Sequence, residues 1–265
     1  MNGDKVVPTT ADDDLWARLR RLTAARIGLA RSGASLATGP LLDFRLAHAQ
    51  ARDAVQAELD EARLADDLTP LGLPVLTLSS AAADKQTYLM RPDLGRTLRS
   101  DSEAALKPHK VAYDIVVVVS DGLSARAVQT HAAPVLSGLL PVLVREGWRL
   151  APLVIVRHGR VAVGDAVARS LGADCVVVLI GERPGLSAPD SMGAYVTWRP
   201  DARTSDADRN CVSNIRPDGI GYADAAFKLA YLARAIRERR LSGVALKDSS
   251  ETLSITGVTP PPNSE

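Results

Sequence analysis

The sequence predicts an α/β chain: an open, mainly parallel sheet flanked by helices, preceded by an N-terminal helical arm. Three observations carry that prediction. Residues 114–120 (DIVVVVS), 150–156 (LAPLVIV) and 174–180 (DCVVVLI) are short apolar runs of strand length. Residues 125–146 and 161–171, which separate them, have helical patterns, and such alternation is the mark of βαβ units around a sheet buried on both faces. Ahead of residue 110, two amphipathic patterns follow one another with no strand between them.

In chain order, residues 14–32 place Leu15, Leu19, Leu22, Ile27 and Ala30 near helical spacing, with acids before and arginines within, and predict a helix ended near Gly33. Residues 40–59 predict a second, with an apolar stripe of Leu42, Leu46, Ala49, Val55 and Leu59. Residues 66–74 have the turn residues of a connection, and residues 75–79 are a strand candidate. After the three apolar runs, residues 195–198 are a further strand candidate, and residues 222–240 predict a long helix with Ala226, Leu229, Ala230, Leu232, Ala233 and Ile236 on one side. The Ser-, Thr- and Pro-rich tail after Lys247 is expected to be disordered. The expected division is a helical arm or subdomain over 1–110, a Rossmann-like α/β domain over 111–248, and the tail over 249–265.

Composition narrows the partners. With 46% hydrophobic and 24% charged residues the chain can bury a full core. Thirty-two basic residues against 31 acidic ones leave no excess to neutralise phosphates, which argues against nucleic acid and anionic membrane and for a small molecule or another protein. Only Cys175 and Cys211 occur, the first inside an apolar run, which fits a reducing compartment rather than a disulfide framework. Residues 1–14 are polar and acidic, unlike a secretory leader, and no apolar run approaches the roughly 20 residues that span a bilayer. The expected location is the cytoplasm, or a compartment reached by folded proteins.

In an open α/β sheet ligands bind outside the carboxyl ends of the strands. Here those ends lead into 120–124 (SDGLS), 157–161 (RHGRV) and 181–186 (GERPGL), each combining glycine with polar groups. No G-x-G-x-x-G follows the first run, and there is no Walker sequence, H-E-x-x-H, zinc-spaced cysteine pair or G-x-S-x-G. Glu182 is a candidate hydrogen-bond acceptor for a ligand, against the alternative of an ion pair with Arg183 or another arginine. Cys211 is a metal ligand, a nucleophile, a reactive thiol or, as the commonest fate of an unpaired cysteine, a packing residue, and Val161 is a packing residue at a helix start. Asp121, Gly122 and Ser124 fit a strand-to-helix turn with Ser124 as cap. Arg234, Arg237, Arg239 and Arg240 fit a solvated helix end. Two rival readings are a stand-alone binding module and a hydrolase using Ser120 or Ser124.

The strings S-D-G-L-S, R-x-G-R-V, G-E-R-P-G-L and A-D-R-x-C-x-S-N-I, in this order and at these separations, resemble the small subunit of ethanolamine ammonia-lyase. Leu22–Gly28, Tyr88–Arg96 and Ser242-Gly243 support the resemblance, which spans residues 15–247. It implies a large barrel-shaped partner subunit in a hetero-oligomer, with adenosylcobalamin held between the two chains. The Co–C bond of that cofactor starts the radical deamination of ethanolamine to acetaldehyde and ammonia. The substrate-binding residues would belong to the partner, leaving no catalytic residue in this chain. The family's cofactor contacts carry over onto Val161, Glu182 and Cys211. The lack of an Asp-x-His-x-x-Gly string agrees with the family's use of the cofactor's own base as lower ligand.

Overall fold

The computed structural model describes residues 11–247. The tail expected to be disordered therefore lies outside the described residues. In chain order the elements are α1 (Ala11–Arg20), β1 (Arg31–Ser32), β2 (Ser35–Leu36), α2 (Thr38–Gln56), α3 (Glu61–Leu68), β3 (Val75–Ser79), α4 (Lys85–Met90) and α5 (Ser100–Leu106). They continue with β4 (Tyr113–Ser120), α6 (Ala125–Arg145), β5 (Leu153–Arg157), α7 (Val163–Leu171), β6 (Ala173–Gly181), β7 (Met192–Trp198), β8 (Arg209–Ile215) and α8 (Tyr222–Arg239).

The central sheet is mixed, with six strands in the order β3-β5-β4-β6-β7-β8. The first four run parallel, whereas β7 and β8 are antiparallel to their neighbours. A parallel return needs a crossover of about a dozen residues or more. Only ten residues join β6 to β7, and ten join β7 to β8, so both strands turn back. β3 falls on the N-terminal side of the expected division at 110, so the sheet draws strands from both sides of that boundary.

Alternate residues of the inner strands feed two cores. On one face Ile115, Val117, Val119, Cys175, Val177 and Leu179 pack against α3, α6 and α8. On the other, Val116, Val118, Val176, Val178 and Ile180 pack against α5 and α7. Helix α6 is long and apolar enough, by composition alone, to cross a membrane, but it is packed on the sheet and on α8 with ten of its residues buried, as the core helix of a globular chain. The basic end of α8 is partly fastened down: Arg234 pairs with Glu146 at 2.6 Å, and the Arg237 guanidinium lies 4.1 Å from the Trp148 ring centre.

The N-terminal part differs from expectation. Helix α1 stops at Arg20 instead of continuing to residue 32. The chain folds back, with Arg20 donating to Gly28 O at 2.6 Å and Gly28 in the left-handed region (φ 54°) against the Trp16 ring, where a side chain would have no room. A two-residue hairpin, β1–β2, follows. In α2 the buried residues are Ala47 and Ala54, while Leu42 and Leu46 of the expected stripe are exposed. Helix α3 forms across the start of the expected connection because Asp60 caps it, accepting the Arg63 N–H at 3.0 Å. Strand β8 was not foreseen. Only Val212 and Ile215 in it are apolar, and an edge strand with one sheet neighbour needs no apolar run.

Candidate functional site

The carboxyl ends of the parallel strands meet at one edge, and β8 also ends there, since Ile215 pairs with Met192, which pairs with Gly181. The edge is tightly built. Gly122 is left-handed (φ 52°), and a Cβ on it would stand 2.5 Å from Gly181 O, so the β4 and β6 loops touch backbone to backbone. Ser120 Oγ lies 2.7 Å from Val156 O and 3.1 Å from Gly159 O, and accepts the Gly159 N–H at 3.1 Å. Ser124 caps α6, accepting the Ala127 N–H. Both serines are fully buried and committed to backbone, which removes the support for a hydrolase built on them.

Around this edge is a partly buried polar cluster that the sequence reading did not assemble. Arg160 lies 4.6 Å from the Tyr88 ring centre and donates to Tyr88 O at 3.1 Å, while Lys85 sits over the same ring and donates to Gly122 O at 3.0 Å. Burial pushes the Tyr88 hydroxyl up to about 12. Burial likewise raises the Asp121 carboxyl, opposed by Lys85 and His158, and lowers the Lys85 ammonium, opposed by Asp121. The sequence had placed Asp121 and Arg160 in separate carboxyl-end loops; Tyr88 joins them because the string 88–96 folds back on the β5 loop through an Arg160 N–H to Gly95 O bond of 2.7 Å.

The three sequence-derived candidates come to the α7 face of the sheet. Val161 lies in the turn before α7, its side chain packed on that core and its carbonyl accepting the Gly164 N–H at 3.1 Å. Glu182 extends past β6 and crosses over Gly193 of β7; a Cβ there would stand 2.9 Å from Glu182 Oε1, so glycine makes the crossing possible. Its carboxylate accepts the Asn214 N–H, with both oxygens at 3.2 Å, rather than pairing with Arg183. Cys211 is exposed on β8 directly opposite Tyr195. The Tyr195 hydroxyl lies close enough to the Cys211 sulfur to favour its thiolate. Helices α6 and α8 cover the other face, whereas α7 covers β4 and β6 here, so β7 and β8 form the floor of a crevice beside α7.

Two features fix the state of this crevice. Although Cys211 is exposed by residue area, desolvation of its sulfur against the sheet raises the thiol, Tyr195 opposes this and Glu182 adds to it, so the group is held as the thiol at neutral pH. Arg209, two residues earlier on the same face of β8, makes a bidentate ion pair with Asp165 of α7. A separate cleft of 460 Å³, lined by His48, Arg52, Leu89, Leu123, Arg183 and Leu186, opens between α2 and the loop after Glu182. Among the described residues no three His, Cys, Asp or Glu side chains converge as metal ligands.

Comparison with known proteins supplies the family. The family model for the ethanolamine ammonia-lyase light chain matches residues 13–247, which include every element around the crevice. The chain belongs to the ethanolamine ammonia-lyase light-chain family. The ethanolamine ammonia-lyase small subunit of Azotobacter vinelandii is 53% identical over 251 residues, covering 93% of each chain. That of Pseudomonas aeruginosa is 50% identical over 261 residues, 97% of this chain and 96% of the relative. That of Ralstonia nicotianae is 52% identical over 248 residues, 92% of each. The light-chain match thus includes the N-terminal elements as well as the sheet.

Proposed function

We propose that the chain is the small subunit of an ethanolamine ammonia-lyase, converting ethanolamine to acetaldehyde and ammonia only when joined to its large subunit. The crevice beside α7 is then this chain's side of an adenosylcobalamin site. Family membership over nearly the whole described chain supports the enzyme assignment. The observation that carries the cofactor assignment is that Val161, Glu182 and Cys211, from three distant segments, all come to the α7 side of the sheet, where Cys211 is exposed.

The donor set fits a flat ring fringed with carboxamides. The Glu182 carboxylate has about four acceptor positions. Asn214 occupies it with one N–H, and the rest can take amide N–H groups of a ligand. Tyr195 and the neutral Cys211 thiol offer a weakly polar border, and Val161 contributes backbone at the turn into α7. When bound, adenosylcobalamin supplies the radical that begins the deamination. This chain's residues bind and orient the ring; the substrate pocket and its catalytic groups lie in the partner. The sheet domain as a whole, with its four parallel strands and the added β7 and β8, is accordingly read as a Rossmann-like corrinoid-binding unit. The N-terminal elements are read as an arm for the large subunit, a role supported by the exposure of Leu15, Leu22, Leu42 and Leu46. The reading places the enzyme in the bacterial cytoplasm or in a microcompartment within it.

The test is co-expression with the large subunit, followed by adenosylcobalamin titration by absorbance and measurement of ammonia release. The assembled complex is expected to bind the corrinoid and release ammonia, and the single chain to do neither. Turnover by the single chain overturns the subunit assignment, and an active complex whose corrinoid affinity ignores changes at Glu182 and Cys211 overturns the crevice.

A further inference from the structure

We infer that the Arg209–Asp165 ion pair is a positioning device that sets the width of the crevice between α7 and β8. The inference rests on the corrinoid reading of that crevice. Both side chains are almost excluded from water, with 2% and 7% of their surface exposed. Arg209 Nη1 and Nη2 each lie 2.7 Å from one oxygen of Asp165, and Nη1 also donates to Thr197 Oγ1 of β7 at 3.1 Å. The pair joins elements that no sheet pairing joins, because β8 pairs with β7 while α7 packs on β6 and β4.

Its place along the chain connects it to the site. Arg209 and Cys211 are two residues apart on one strand face, about 7 Å at strand rise, and Asp165 follows Val161 by four residues through the start of α7. A shift of either partner therefore moves a candidate contact directly. Fold stability alone gives little reason for such a pair, since well-packed apolar residues of similar size commonly do as well or better in its place. What a bidentate Arg–carboxylate fork adds is a fixed distance and orientation, which an apolar contact does not specify. The first turn of α7 suits the carboxylate, whose charge faces the positive end of the helix dipole.

The decisive variant is the double substitution Asp165→Leu with Arg209→Met, assembled with the large subunit beside the wild type and Arg209→Lys. Each complex is melted without cofactor and titrated with adenosylcobalamin by absorbance. The double variant is expected to melt within about 4 °C of the wild type and to bind the corrinoid at least tenfold more weakly. Arg209→Lys, which keeps the charge and loses the fork, is expected to bind with intermediate affinity at an unchanged melting temperature. A double variant that assembles and binds like the wild type overturns the inference, as does weaker binding that appears only with a larger loss of melting temperature. If the double variant fails to assemble, wild-type affinity in Arg209→Lys overturns it instead. A wild-type complex that binds no corrinoid removes the underlying reading as well, an outcome separate from wild-type binding with unaffected variants.

Discussion

Replacing Glu182 by alanine separates a ligand contact from a structural one, because the structure gives the carboxylate one definite internal partner. That partner is the Asn214 N–H, shared between two oxygens at 3.2 Å, long for a charge-assisted bond, with Asn214 exposed to water. Water can replace the lost acceptor, so the cost to the fold is about 1 kcal/mol, near the middle of the usual net range, or roughly 2–4 °C in melting temperature for a chain of this size. If ligand amides use the remaining acceptor positions inside a closed interface, the loss there is about 1.5–3 kcal/mol, a tenfold to hundredfold fall in affinity. Glutamine at the same position retains an acceptor for Asn214 and is expected to restore the melting temperature while recovering only part of the affinity. The assay is corrinoid absorbance titration of the assembled complexes, with calorimetry of the same samples. Equal dissociation constants for wild type and Glu182→Ala, with only the melting temperature lowered, would refute the ligand role.

Gly122→Ala should be among the most damaging substitutions at the edge: the left-handed backbone alone costs about 1–3 kcal/mol, and the new Cβ would lie 2.5 Å from Gly181 O and from Ile180 Cγ1; thermal melting at wild-type level would show that the loops can separate. Cys211 should react slowly with thiol reagents in the cofactor-free complex, its rate still rising with pH above the range of an ordinary thiol. Tyr195→Phe should slow it further, because the hydroxyl that favours the thiolate is gone; faster labelling in that variant would contradict that role. Leu42→Lys with Leu46→Lys should change the stability of this chain by no more than about 0.5 kcal/mol per site, since both side chains are exposed, while lowering the yield of complex with the large subunit; an unchanged yield would show that this face is not used.

What could be read from sequence follows from where each element sits. Strands β4, β5 and β6 are covered on both faces, so each had to be a short apolar run, and each was placed to within three residues at either end. β3 lay where its five residues predicted, and α8 showed its buried side in Ala226, Leu229, Ala230, Leu232, Ala233 and Ile236 because a helix packed on a sheet repeats its core contacts every turn. The carboxyl-edge loops were legible for the same reason, since strand direction follows once helices alternate with buried strands.

The tertiary structure decided what depends on a partner distant in sequence. β8 has no apolar run, and its pairing with β7 is what makes it a strand. Leu42 and Leu46 looked like a core stripe by spacing, but α2 docks through Ala47 and Ala54, whose small side chains allow close approach. Glu182 reaches Asn214 only because Gly193, on the strand between them, has no side chain in the way. Arg209 and Asp165 are 44 residues apart in the chain and carry no mutual signal in it. Local sequence records the periodicity with which an element is buried, whereas a contact between two segments is written in neither one; packing alone brings Val161, Glu182 and Cys211 to one face.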